Sequence, residues 1–360
     1  MMKNFKLNKF ATVALAAATI ATVSGVANAC SRILVDTPHG ESVVRTLDWA
    51  ERMGAVAEVM PVGKTHQTGA VNEYQNAAKW TAKYQTVALR DFEVFHGVAA
   101  EAINVEGLAS SVLYMEDSVP FLAQYKDNGA PAVNLADIST FFAQNFKTVQ
   151  EAKAALEQGE FQIAWNSELP NAGKHGLHVS VQDKSGDVML IQLNEGGKVV
   201  IHNGQDDLRV MANEPLQQEH REYVKQFDFS EITTANKLNT SISSLDRNAR
   251  LLWTTNGQKN WDNLTWAQTE AKLQSTYDAA ALVPQDIIDP NYMGTYTTWI
   301  QYIYNLENGS VKVKNFDTYS SIRFNMNDIK DVKENLCADL ASQASAGFQT
   351  AQWETCQVSY

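Results

Sequence analysis

Past residue 30, apolar and polar positions interleave in short runs: "SRILVDT" and "SVVRTLDW" flank "PHGE". This pattern predicts two strands joined by a turn. "GAVAEVMPVG", "YQTVALRDFEVFHGVAAEAIN" and "GLASSVLYM" continue it, so the first third reads as sheet. The period then changes: "NLADISTFFAQNFKTVQEAKAALEQG" carries apolar residues at helical spacing and stops at Gly159, which predicts one helix or two in tandem. Strand patterning returns in "FQIAWNS", "GLHVSVQD", "DVMLIQLNEGGKVVIHNG" and "DLRVMANEP", with "KSGD" and "NEGG" as hairpin turns. "QQEHREYVKQF", "NARLLWTTN" and "LTWAQTEAKLQSTYDAAAL" read as helical or mixed. Strands in "TYTTWIQYIYNLENGSVKVKNF" and a last helix over 329–344 close the chain. Sheet, helices, sheet, helices predicts an α+β fold in which two antiparallel sheets carry helical layers outside. No Pro- or Ser-rich linker divides it, so 30–360 is expected to form one domain.

Residues 1–29 stand apart. Lys3, Lys6 and Lys9 precede an apolar run from Phe10 to Val23, and Ala27-Asn28-Ala29 ends the segment with small residues. This is the pattern of a secretory signal peptide, with the cut expected after Ala29 and a periplasmic or secreted product. Its removal takes away three lysines and no acids, moving the formal net charge from −12 to −15. So acidic a surface repels phosphate backbones, and no basic stripe or later membrane-length apolar run is present. No nucleic acid and, after processing, no membrane is expected as a partner.

Three cysteines are an odd count for an oxidising compartment. Cys337 and Cys356 lie close together near the C-terminus, where a bridge would tether the tail, and Cys30 is then the unpaired thiol. A lipoprotein needs an aliphatic residue three positions before its cysteine, where this chain has Ala27. Acylation of Cys30, which would make the chain an exported lipoprotein or binding protein, is thus disfavoured but stays open. If the cut falls after Ala29, Cys30 becomes the N-terminus and carries a free α-amine beside its thiol. Their reference pKa values, roughly 8 and about 8.5, let the two share a proton near neutral pH. Arg45 and Asp48 in "RTLDW" can supply a cation for the thiolate and an anion for the ammonium, although the sequence does not fix the strand register that would bring them there.

A mature N-terminal Cys followed by "RTLDW", "INVEGLASSVLYME", "MANEP" and "RNARLL" resembles the choloylglycine hydrolase and penicillin V acylase family of N-terminal-nucleophile hydrolases. The resemblance covers nearly all of the mature chain. It implies a four-layer αββα sandwich, a homotetramer and a cofactor-free cleavage of a small-molecule acyl amide. By resemblance, Cys30 is the nucleophile, Asp48 holds its amine, and Arg45 and Arg250 flank the thiol. Asn213 in "MANEP" and the backbone N–H of Tyr114 stand as the oxyanion donors.

Bile salt hydrolases of the family usually carry Asn where this chain has Tyr114, and an aromatic there resembles the penicillin V acylases. Trp49 and Tyr114 can stack on a phenoxyacetyl ring or line an acyl-chain pocket. The expected substrates are penicillin V, N-acyl homoserine lactones or both, with conjugated bile salts as the alternative. The seven histidines, His39, His66, His96, His175, His178, His202 and His220, include no pair at metal-binding helical spacing, so no metal is expected. No glycine-rich phosphate loop follows a strand.

Overall fold

The computed structural model describes residues 30–170, 172–229, 238–258, 260–288 and 294–357; the segment read as a signal peptide lies outside them. Two antiparallel sheets carry the fold. The first has six strands in the order Val210–Ala212, Ser31–Val35, Ser42–Asp48, Thr298–Asn305, Ser310–Asn315, Ser320–Asn325. The second has nine, in the order Lys198–Asn203, Val188–Asn194, Leu177–Asp183, Leu108–Tyr114, Val98–Asn104, Thr86–Asp91, Val56–Met60, Leu336–Asp339, Glu354–Thr355.

Strand side chains alternate between faces, and here both faces are covered. Leu34, Val43, Leu47, Tyr302 and Tyr304 point between the sheets into the main core. Ile33, Val35, Val44 and Ile303 point the other way, into a second core with Leu251, Leu273 and Tyr277. These last three come from helices α4 (Ser244–Gly257) and α5 (Trp266–Ala281), which follow the short α3 (Gln217–Val224). The nine-stranded sheet is covered by α1 (Ile138–Asn145) and α2 (Val149–Glu157). The result is the αββα sandwich expected from the sequence.

The helical stretch over 134–159 is two helices, because Thr148 starts a new one by accepting the Glu151 N–H at 3.1 Å. The helix expected over 329–344 is mostly not formed. Leu336–Asp339 instead adds an edge strand beside Val56–Met60, and only Leu340–Ser345 is helical, capped by Asp339. A disulfide joins Cys337 to Cys356 and holds the C-terminal strand Glu354–Thr355 against this edge. Tertiary pairing overrides local propensity here. The strand Ser320–Asn325 was not expected either, although Ile322 and Phe324 are buried around the exposed Arg323 at period two. "FQIAWNS" does contain a strand, Gln162–Ala164, which pairs in parallel with Ala132–Asn134 outside both large sheets.

Candidate active site

Cys30 immediately precedes the strand Ser31–Val35, and two registers decide its neighbours. Ser31 faces Ala212 across one edge and Arg32 faces Arg45 across the other. One step back from Ser31 and two from Arg32, Asn213 and Leu47 therefore flank Cys30, and directly opposed residues share a face roughly 5 Å apart. The hairpin read from the sequence thus brings "RTLDW" back beside the first residue of the described chain.

The Cys30 thiol is buried and free of disulfide. The Asp48 N–H donates to its Sγ at 3.5 Å, and Sγ donates to the Asp48 carbonyl at 3.7 Å. Burial, then the Asp48 carboxylate, pushes the thiol pKa up, while Arg45 and, more weakly, Arg247 pull it down. The thiol is thereby held in its protonated form.

Arg45 and Asp48 sit on opposite faces of one strand. Arg45 points between the sheets, where its Nη1 meets Glu101 Oε2 at 3.0 Å and the Ala100 carbonyl, and its Nη2 donates to the Val112 carbonyl at 2.7 Å. Burial disfavours the Arg45 cation, but Glu101 and then Cys30 outweigh that and raise its pKa. Glu101 in turn accepts from Ser111 Oγ at 2.8 Å and Tyr304 Oη at 2.5 Å. A lone acid in the apolar strand "VAAEAIN" was the sequence signal for this partner, because a buried charge must be paired.

Asp48 points to the helix side. Its Oδ2 accepts from Thr46 Oγ1 at 3.0 Å and lies 3.7 Å from Arg247 Nη1. Its Oδ1 is buried without a hydrogen-bond partner among the described residues. Burial pushes the carboxyl up to about 7, against the pull of Arg247 and of the nearby Thr298 and Thr46 hydroxyls. Tyr277 of α5 closes the cluster, its hydroxyl 2.8 Å from Thr46 Oγ1 and 2.8 Å from the Ser31 carbonyl.

The expectation for Arg250 is corrected. Its guanidinium donates to the carbonyls of Ala280, Asn239 and Ser241, which ties α4 to its surroundings away from the thiol. Arg247, three residues earlier, is fully buried and donates to Ser31 Oγ at 2.6 Å and Ser244 Oγ at 3.0 Å. Three residues advance a helix by almost a full turn. "DRNAR" offers both arginines on neighbouring faces, and only packing selects the one that meets the sheet.

Asn213 is completely buried, and neither its Nδ2 nor its Oδ1 has a partner among the described residues. An unpaired buried amide typically costs about 1–3 kcal/mol per group, so its retention beside a thiol points to use in chemistry. The pocket in front of Cys30 is lined by Arg45, Leu47, Trp49, Met53, Asp91, Phe95, Val98, Ala100, Val112, Tyr114, Leu169 and Leu177. The Trp49 ring meets Phe95 edge-on at 4.9 Å and Tyr114 at 5.5 Å. His175 stands behind Tyr114 at 5.6 Å, and the Tyr114 hydroxyl donates to Glu116 at 2.7 Å. Met53, Asp91 and Phe95 were not singled out in the sequence, because nothing local marks two loops that converge only through the sheet.

The description "linear amide C–N hydrolases, choloylglycine hydrolase family" matches residues 30–252. A penicillin V acylase of Pectobacterium atrosepticum is 28% identical over 220 residues, which are 60% of this chain and 57% of that protein. The chain thus spans little more than half the length of this relative. Among solved structures, penicillin V acylase from Agrobacterium tumefaciens superposes with a TM-score of 0.73 at 22% identity, over 91% of this chain and 98% of that one. A mutant conjugated bile acid hydrolase from Clostridium perfringens gives 0.67 at 14% identity, over 92% and 97%. These two establish a shared fold.

Proposed function

Because this chain belongs to the choloylglycine hydrolase family of linear amide C–N hydrolases, we propose that it is an exported amidohydrolase whose nucleophile, Cys30, is exposed by a cut after Ala29. The observation that carries this reading is the free Cys30 thiol at the floor of an apolar, aromatic-walled pocket. The partnerless Asn213 amide one register step away supports it.

In this reaction the α-amine of Cys30 takes the thiol proton, and the thiolate attacks the amide carbonyl. The developing oxyanion is bound by Asn213 Nδ2 and the Tyr114 N–H. The α-ammonium then donates its proton to the departing nitrogen, leaving a thioester on Cys30. Water, deprotonated by the same amine, hydrolyses the thioester and restores the thiol. Asp48 Oδ1 is the acceptor that holds the ammonium, while Arg45 and Arg247 favour the thiolate. The Trp49 ring, edge-on to Phe95 and Tyr114, makes an aromatic wall that suits a flat aryl or flexible acyl group better than a rigid steroid. The substrates are therefore penicillin V, N-acyl homoserine lactones or both, and the enzyme works in the periplasm or outside the cell, as a homotetramer.

The test is a panel of penicillin V, acyl homoserine lactones and conjugated bile salts on protein beginning at Cys30. Hydrolysis of the first two is expected. Release of taurine or glycine alone would reassign the substrate, and a diacylglycerol on Cys30 in the mass spectrum would end the enzyme reading.

A further inference from the structure

Within that reading, two loops build the acyl pocket, 49–55 with Trp49 and Met53 and 92–97 with Phe95. Both are held by one side chain. Asp91, the last residue of the strand Thr86–Asp91, is 1% exposed. Its Oδ1 accepts the Gly54 N–H at 2.8 Å, and its Oδ2 accepts the Val94 and Phe95 N–H groups at 2.8 and 2.7 Å. Its carbonyl takes the Gly97 N–H at 2.7 Å, and the adjacent Arg90 donates to the Gly97 carbonyl at 2.7 Å.

The loops also touch directly. A Cβ at Gly54 would stand 3.2 Å from Glu93 Cγ. The second loop turns through two left-handed residues, His96 at φ 49° and Gly97 at φ 100°. A Cβ on Gly97 would fall 2.9 Å from the Phe92 ring. Such a turn persists only where surrounding bonds fix it, and hydrogen bonds to a carboxylate are among the stronger ones available.

We propose that Asp91 is a positioning residue for acyl selectivity: its carboxylate clamps both pocket loops in one arrangement, so that the Trp49 and Phe95 rings, in edge-on contact, form one fixed wall against which a flat aryl group packs. Asp91 acts through the loops, because its oxygens are turned to three backbone N–H groups. Asn in its place keeps one acceptor oxygen and sets an NH2 against the N–H groups of the other loop, so one wall is released.

The experiment measures penicillin V and a long-chain acyl homoserine lactone on processed wild type, Asp91→Asn, Phe95→Ala and the double variant. Asp91→Asn should raise the KM for penicillin V about tenfold or more with kcat within about threefold, and change kcat/KM for the long chain by less than about threefold. On the Phe95→Ala background it should add less than about twofold, because residues that act as one unit are not additive. The rate of Cys30 alkylation by iodoacetamide should not move. Gly54→Ala, whose Cβ presses on Glu93 Cγ at 3.2 Å and reaches only ordinary contact distance, 3.9 Å, from Asp91 Oδ1, should shift selectivity the same way and serves if Asp91→Asn does not fold. The proposal is overturned if kcat falls equally for both substrates at constant KM, if the two single effects multiply, or if selectivity is unchanged in Asp91→Asn and Gly54→Ala. A wild type that cleaves neither amide overturns the functional reading and this proposal together.

Discussion

The two sheets face each other across the pocket and contribute differently. The six-stranded sheet carries Cys30, Arg45, Asp48 and Asn213 at one corner, set by two strand registers. The nine-stranded sheet contributes Val98, Ala100, Val112, Tyr114 and Leu177, an almost wholly apolar wall, with its polar groups turned to holding loops and the Arg45 guanidinium. Reacting groups need angular precision, which paired strands supply. The wall needs shape, which loops supply and one carboxylate fixes. Changes on the first sheet should therefore strike turnover, and changes on the second should strike selectivity.

The largest effect belongs to Cys30. Cys30→Ala or Cys30→Ser should abolish amide hydrolysis while circular dichroism shows the fold intact; full activity in either variant would refute the assignment. Asn213→Ala comes next, with kcat expected to fall about a hundred- to a thousandfold while KM stays within about threefold, because the contact forms mainly in the transition state. Steady-state kinetics check this, and a raised KM at constant kcat would count against the oxyanion role.

A paired comparison of arginines is smaller and sharper. Arg247→Gln should lower kcat about tenfold or more, since a charged partner of Asp48 and Ser31 is lost. Arg250→Gln should leave kcat within about twofold and act only on thermal stability. The reverse order would restore Arg250 to the site.

The uncut chain offers a pH test of Asp48. Its folded pKa, about 7, lies above the ordinary 3.8, so the fold prefers the neutral acid. This contribution is complete below about pH 4 and is lost as pH rises through 7. The thermal midpoint of uncut protein should fall over that window relative to Asp48→Asn. In cut protein, where the ammonium stands beside the carboxylate, the difference should shrink or change sign. Equal pH profiles in cut and uncut protein would break the link between the two groups.

The smallest effect on catalysis is expected from reducing Cys337–Cys356. The bridge closes a 19-residue separation, worth about 3 kcal/mol in the chain-entropy account. The melting temperature should drop while kcat stays within about twofold, because the bridge joins edge strands remote from the pocket.

The alternation in "SRILVDT" and "SVVRTLDW", and the helical spacing in "LTWAQTEAKLQSTYDAAAL", were enough to place elements and fold class, because one residue type per position reports one face. Cys30 and Asp48 were also legible as candidates, since a thiol and amine on one residue have few chemical uses. Arg247, Asp91 and Glu101 were not, and each role needs at least one partner 37 or more residues away in the chain. Likewise 329–344 has a helical pattern that strand pairing and a disulfide overrule.

By itself the sequence determined the layers and singled out Cys30 as the free thiol, which depend on local period and side-chain chemistry. Only the tertiary structure decided which arginine meets Asp48, which register sets Asn213 beside the thiol, and which carboxylate shapes the pocket. Those choices belong to contacts between distant segments, where burial and pairing select among residues that the sequence presents as equals.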